Sequence, residues 1–371
     1  MLTRRLLAAA VSALALGLLA ACAGTQAPGA ADPLADYPPL PSASVAGASP
    51  AARQFAASLG RGVNFGNMLD APHEGDWKLR VEDRYIARVG REGGLGIASV
   101  RLPVRWSNHA SADGEARIDP AFLARVDDVV RRLLARGVPV VMDMHHYRQL
   151  DGDTLDEGET RVPDEVVERR FLAMWRQIAE HFRDFPATLA FELYNEPHGR
   201  LERRWNELMS RAVRVVRQSN PHRVLVVGPV QWNSARGLHH FEMPPDADMV
   251  LTVHHYDPYG FTHQGAPWAN PPLPMGINCC SAQMLADIRD PLDTAARWGR
   301  VHGYPVYVGE FGTYEAAPAE ARLRYTRTMR EEIERRGMTW TYWELAAGFG
   351  FIDPATAQVR PGGLHEALFG P

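Results

Sequence analysis

Two glutamates stand out by where they fall. Glu196 follows the apolar run Leu189-Ala190-Phe191-Glu192-Leu193-Tyr194 and sits within Asn195-Glu196-Pro197. Glu310 ends Pro305-Val306-Tyr307-Val308-Gly309 and precedes Phe311-Gly312. A carboxylate at the exit of an apolar strand either pairs with a buried arginine or works. Two that face one cleft can divide the work of cleaving a glycosidic bond. One gives its proton to the leaving oxygen, and the other attacks the anomeric carbon.

Putting two strand exits on one cleft makes a demand on the fold. From Gly60 onward, short apolar runs alternate with amphipathic ones. The runs at 62–65, 99–104, 138–144, 189–194, 224–227, 249–255, 306–309 and 339–343 are too continuously apolar for one-sided sheets. They predict buried parallel strands. Phe122, Leu123, Val126, Val129, Val130, Leu133 and Leu134 recur at helical spacing and stop at Gly137. Val166, Val167, Phe171, Met174, Trp175, Ile178 and Phe182 form a second stripe. The fold class predicted is α/β, a (β/α)8 TIM barrel over residues 51–371. A doubly wound sheet would carry a glycine-rich phosphate loop, which Gly62-Val63-Asn64-Phe65-Gly66-Asn67 does not match.

In such a barrel strands four and seven lie across the mouth from each other, and chemistry collects at the strand exits. Asn67 and Asp70 follow the first strand, and Arg101 lies on the second. His145 and His146 end the third, Asn195 and Glu196 the fourth, and His254, His255 and Tyr256 the sixth. Glu310 ends the seventh and Trp343 the eighth.

Composition narrows the class further. In 371 residues, 46% hydrophobic and 23% charged content exclude a largely disordered chain and a polytopic membrane protein. A net charge of -4 gives no pull on nucleic acid, and Lys78 is the only lysine among the cations. Arg4 and Arg5 precede an apolar run from Leu6 to Ala21, shorter than the ~20 residues of a membrane span. Its end, Leu19-Ala20-Ala21-Cys22, looks like a bacterial lipobox, which makes residues 1–22 a lipoprotein signal and Cys22 the lipid attachment site. No aspartate follows Cys22, which fits an outer-membrane address; the other destinations are the periplasm and the medium. Residues 23–50 hold six prolines and many alanines and read as a solvated tether. Three cysteines make neither a disulfide framework nor a four-thiolate zinc site, and adjacent Cys279 and Cys280 are left open between a bridge and two thiols.

Taken in order, several motifs resemble glycoside hydrolase family 5, the cellulase-like retaining enzymes. They include Gly60-Arg61-Gly62-Val63-Asn64-Phe65-Gly66-Asn67, Val100-Arg101-Leu102-Pro103-Val104-Arg105-Trp106, Asp143-Met144-His145-His146-Tyr147 and Tyr194-Asn195-Glu196-Pro197-His198-Gly199. His254-His255-Tyr256-Asp257-Pro258, Phe261-Thr262-His263-Gln264-Gly265-Ala266, Gly309-Glu310-Phe311-Gly312 and Trp340-Thr341-Tyr342-Trp343-Glu344 follow. The resemblance implies Glu196 as acid/base and Glu310 as nucleophile, with Arg101 and Tyr256 holding Glu310. It implies Asn195 at the sugar 2-hydroxyl, His145 and His254 near the cleaved bond, and Trp343 under a pyranose ring. Asn67 and Asp70 would bind sugar toward the non-reducing end, where relatives carry glutamate in place of Asp70. His146 reaches the cleft if the strand end turns, and Trp268 either stacks a sugar or belongs to the core.

These readings imply a monomeric retaining endo-β-glycosidase on a β-1,4-linked polysaccharide such as glucan or mannan. It would need no cofactor or metal and would meet a membrane only through its lipid. The competing readings are a surface lipoprotein that binds glycans without cleaving them and a metal-dependent hydrolase using the histidine pairs. The stretch from Asn270 to Cys280 departs most from the family and is expected as a loop beside the reducing-end side of the cleft.

Overall fold

Strands β1 (Arg61–Asn64), β2 (Val100–Leu102), β3 (Val140–Asp143) and β4 (Leu189–Glu192) lie side by side, all parallel. They continue through β5 (Leu225–Val227), β6 (Met249–His254), β7 (Val306–Glu310) and β8 (Thr339–Tyr342), and β8 pairs with β1 to close the barrel. This computed structural model describes residues 32–90 and 94–371. The signal, Cys22 and the first part of the tether lie outside the described residues. Among those described, no helix is long and apolar enough to cross a membrane.

Both helical stripes appear as expected, at Pro120–Ala135 and Val167–His181. The first starts where Asp119 accepts from the N–H groups of Ala121 and Phe122 with proline in the first turn, and Gly137 follows its end at φ 74°. The alternation is looser than expected in two crossovers. Between β1 and β2 the helix is one turn, Asp83–Ile86, and between β5 and β6 there is only the 3₁₀ stretch Ala235–His240.

Strand alternation sorts the barrel interior into layers. Val141, Ala190, Val226, Val250 and Tyr307, each the second residue of its strand, meet the helix Pro50–Leu59 through Ala52, Phe55, Ala56 and Leu59. That helix is therefore an apolar floor at the N-terminal end, and burying Phe55 or Leu59 is worth roughly 1.5–3 kcal/mol each. Two residues further up β3 and β4 come Asp143 and Glu192, fully buried, with Arg101 from β2. The layer nearest the mouth is thus charged, and the site is built on it.

The expected tether of 23–50 needs correction. From Asp36 onward the chain already lies against the helices of the barrel unit, Asp36–Pro371. Arg211 donates to the carbonyl of Tyr37 and Arg214 to that of Pro39, while Ser210 Oγ accepts from Leu40 N–H. The Arg169 and Arg176 guanidiniums sit 5.3 and 5.8 Å from the Tyr37 ring centroid. Ala48 N–H and Ser49 N–H then bond the carbonyls of Gly303 and Ala247. Proline-rich composition read as solvated because the partners are side chains of distant helices.

Candidate active site

Arg101 is the centre of the charged layer. Its Nε and Nη2 fork onto Glu192 at 2.8 and 2.9 Å, and Nη2 also reaches Asp143 at 2.7 Å. Nη1 donates to Asn64 Oδ1 at 2.9 Å and to Glu310 Oε1 at 2.6 Å. A planar guanidinium with five donors can serve this many acceptors where an ammonium cannot. Sequence reading gave Arg101 one partner, Glu310. It missed Asp143 and Glu192, whose signal was a lone acid in each of two apolar strands.

Arg101 Nη2 also donates to Asn195 Oδ1 at 2.7 Å. That contact fixes the amide orientation, so Asn195 turns its Nδ2 donor away from the arginine. Tyr256 donates its hydroxyl to the other oxygen of Glu310 at 2.8 Å. His254 Nδ1 lies 2.7 Å from Glu196 Oε1 and 3.8 Å from Glu310 Oε2. One oxygen of each glutamate and a His254 nitrogen lie within 4.8 Å of one another.

The two carboxyls differ in what holds them. Burial pushes both up to about 7, and for Glu310 the nearby Glu196 charge adds to the rise. Glu310 accepts short hydrogen bonds from Arg101 and Tyr256, whereas Glu196 has only His254, whose ring burial keeps neutral by lowering its pKa to about 4. Donors favour the charged form of an acceptor, so the first negative charge settles on Glu310 and the proton stays on Glu196. The arrangement can donate a proton from one side and an electron pair from the other.

His145, 1% exposed, and half-buried His146 pack together beside Trp343 and Trp77. His145 holds Asp143 through Nδ1 at 3.0 Å, which leaves Nε2 for the cleft. His146 has φ 52°, so the strand has ended and the chain turns, placing the two rings 4.2 Å apart. Asp70 is partly a correction. Its carboxylate accepts from the N–H groups of Asn67 and Met68 at 3.0 and 2.7 Å and closes the turn in which Asn67 sits at φ 64°. Burial raises its pKa to about 6. An Asp70 oxygen lies within 4.8 Å of nitrogens of His145 and His146, but the residue is fully buried, so it serves the loop beneath the cleft and not the cleft surface.

Aromatic rings border the mouth. Trp343 is half-buried and lies parallel to His145 at 5.6 Å. Gly66 allows this, because a Cβ there would come within 2.7 Å of the Trp343 ring. Trp268 is 57% exposed, which removes it from the core. It stands edge-on to Tyr314 at 5.0 Å and near Phe349, which neighbours Tyr256. Two rings were missed. Trp77 meets His146 edge-on at 5.8 Å, and Trp232, 55% exposed, stacks on His198 at 4.6 Å. The signal for Trp232 was its place at the exit of the fifth strand, the one exit left unassigned. Residues 270–280 form the expected loop, and Cys279 and Cys280 are joined in a disulfide.

Two trios, Asp70/His145/His146 and Glu196/His254/Glu310, bring possible metal ligands together. Around the first, burial and then the charges of neighbouring groups, Arg101, Arg105 and Arg148 among them, hold both imidazoles neutral. A dication would meet the same guanidiniums. The second is the carboxylate pair itself, with Arg101 already supplying the positive charge.

Residues 93–348 match the family described as Cellulase (glycosyl hydrolase family 5). The chain is 32% identical over 296 residues to Endoglucanase H of Acetivibrio thermocellus, covering 80% of this chain and 30% of that one. It thus spans less than a third of that relative's length. A structure titled as a hyperthermophilic endo-beta-1,4-glucanase in complex with substrate superposes with TM-score 0.80 at 32% identity, covering 86% of this chain and 99% of that one. Thermotoga maritima Cel5A in complex with mannotriose superposes with TM-score 0.79 at 35% identity, covering 85% and 99%.

Proposed function

This chain belongs to the cellulase family, glycosyl hydrolase family 5, and from that premise we propose that it is a retaining endo-β-1,4-glycosidase. The substrate class we assign is a β-1,4-glucan, with β-1,4-mannan as a second backbone, since a relative of similar structure holds mannotriose. The observation that carries the reading is the asymmetric pair: Glu310 gripped by Arg101 and Tyr256, Glu196 left with its proton, and their oxygens within 4.8 Å. That gap is too small for an attacking water, which inverting enzymes seat between carboxyls ~6.5–9.5 Å apart.

Glu310 attacks the anomeric carbon while Glu196 protonates the departing oxygen. Glu196, now a base, then activates water against the glycosyl-enzyme. Asn195 Nδ2 is presented for the 2-hydroxyl, where a hydrogen bond strengthens as the oxocarbenium-like state forms. Trp343 and His145 form the wall for the ring being cleaved.

The pH profile and the leaving group test these roles together. kcat/KM should be bell-shaped with its limbs flanking about 7, because burial brings both carboxyls there. Falling pH protonates Glu310 and removes the nucleophile; rising pH strips Glu196 and removes the acid. Glu196→Gln should lose about 10³-fold on polysaccharide, while aryl glycosides with activated phenols keep most of their first-step rate. Equal loss on both would take Glu196 out of the acid role.

We further propose that Cys22 carries the lipid and holds the barrel at the bacterial envelope, since the lipobox precedes a short linker to Asp36. Cys22→Ser should move the protein from the detergent to the aqueous phase. A wild-type chain already in the aqueous phase, with an unmodified N-terminus beyond Cys22, would sink the anchor.

A further inference from the structure

Behind Glu196 lies a histidine that the mechanism above leaves idle. His198, with a 9% exposed side chain, turns Nδ1 to the main-chain oxygen of Glu196 at 2.6 Å and Nε2 to Asp153 Oδ2 at 3.1 Å. A carbonyl oxygen can only accept, so Nδ1 carries a hydrogen and donates it to the main chain of Glu196. Arg148 pairs with Asp153 at 3.3 Å.

The charged surroundings of this ring come from three directions. Asp151 brings Oδ1 to 3.6 Å from Nδ1, and its other oxygen accepts from Tyr194 at 2.5 Å. Asp153 and Arg148 lie on the Nε2 side, and the Arg200 side chain packs over Gly152, 2.8 Å from where a Cβ would stand. Glu196 is on the cleft side, and the charge of His198 opposes the effect of burial on its carboxyl. The ring face lies against Trp232 with an interplanar angle of 21°, a stacked contact. The main-chain N–H of Trp232 also donates to the carbonyl of Pro197 at 3.3 Å.

We propose that His198 is a positioning residue that locks the main chain at Glu196 and the exposed indole of Trp232 into one unit, so that the proton donor and this exposed ring keep a common alignment. The proposal rests on Glu196 being the acid/base. It explains why a doubly bonded imidazole, and not an apolar residue, fills this place. Without the Nδ1 donor the Glu196 carbonyl is free to rotate, and the carboxyl moves with it. A misplacement of about 1 Å is enough to cost on the order of 10²-fold in a positioned proton transfer.

The test separates positioning from folding. His198→Phe keeps a flat ring under Trp232 but has no donors. His198→Asn restores a donor near Nδ1, and His198→Gln keeps one near Nε2 only. On polysaccharide, His198→Phe and His198→Gln should lose about 10²-fold in kcat, and His198→Asn should regain at least about tenfold of that. On an aryl glycoside with an activated phenol, whose first displacement needs little protonation, all three should stay within about threefold of wild type in kcat/KM, which reports formation of the glycosyl-enzyme and not its hydrolysis. Equal loss on both substrates, or Asn no better than Gln, overturns the proposal. If His198→Phe does not fold, the Asn and Gln pair decides alone, because each retains one polar contact. Failure of the Glu196 reading would show separately, as loss of leaving-group selectivity in Glu196→Gln itself.

Discussion

Glu310→Gln is expected to lower kcat by on the order of 10⁵-fold, the scale seen when a covalent nucleophile is removed, while oligosaccharide binding stays near normal. The amide keeps the shape and one acceptor for Arg101 and Tyr256 but cannot attack carbon. Two further readouts belong to the same expectation. A 2-fluoro glycoside with a good leaving group should label Glu310, since fluorine slows both displacements and the good leaving group restores only the first. The first product from a β-linked substrate should be the β-hemiacetal, seen by proton NMR before mutarotation. An initial α-anomer, or a label on another residue, would overturn both the nucleophile and the retaining course.

Arg101→Met should produce the largest loss of stability. It leaves Asp143, Glu192 and Glu310 buried around an apolar side chain with no counter-charge. Breaking a buried ion pair from one side costs about 3–5 kcal/mol. The pH dependence has a definite sign. Burial already raises the folded-state pKa of Asp143 to about 6 and raises that of Glu192, so the native protein binds protons there more tightly than the unfolded chain. Removing the guanidinium raises both further. The deficit is therefore fully present above those folded pKa values and shrinks as pH falls through them, so denaturation at about pH 8 should show a larger loss than at about pH 5. Arg101→Lys should recover part of the stability but little activity, because one ammonium cannot fork onto Glu192 and also reach Glu310 and Asn195. A loss independent of pH would mean that the three carboxyls are not what Arg101 holds charged.

Much of the site was legible before any coordinates. Apolar runs of four to seven residues ended in polar ones, and that punctuation located β1 to β8 and the exits bearing Glu196, Glu310, His145, Asn195, His254 and Tyr256. Periodicity encodes burial one element at a time, which is why the barrel and its working end could be read. The same locality explains the misses. Trp232 is exposed by three successive left-handed residues, Gln231, Trp232 and Asn233, none of them glycine. Tyr37 and Pro39 are held through their carbonyls by arginines of another element, which leaves no mark in the composition of the strap itself.

The amino-acid sequence alone thus determined the order of strands, the two carboxylates and the family motifs around them, because each is a short pattern whose meaning is local. The motifs imply which glutamate is the acid, but the donors that make the two carboxyls unequal come together only in the closed barrel. Glu310 receives its donors from Arg101, 209 residues away, and Tyr256, 54 residues away. The aspartate expected to meet sugar was drawn into a turn by two backbone N–H groups, and adjacent cysteines that could have stayed thiols are bridged. A carboxyl's charge depends on the hydrogen-bond donors and the burial that surround it in space, and those are assembled from strands that the chain keeps far apart.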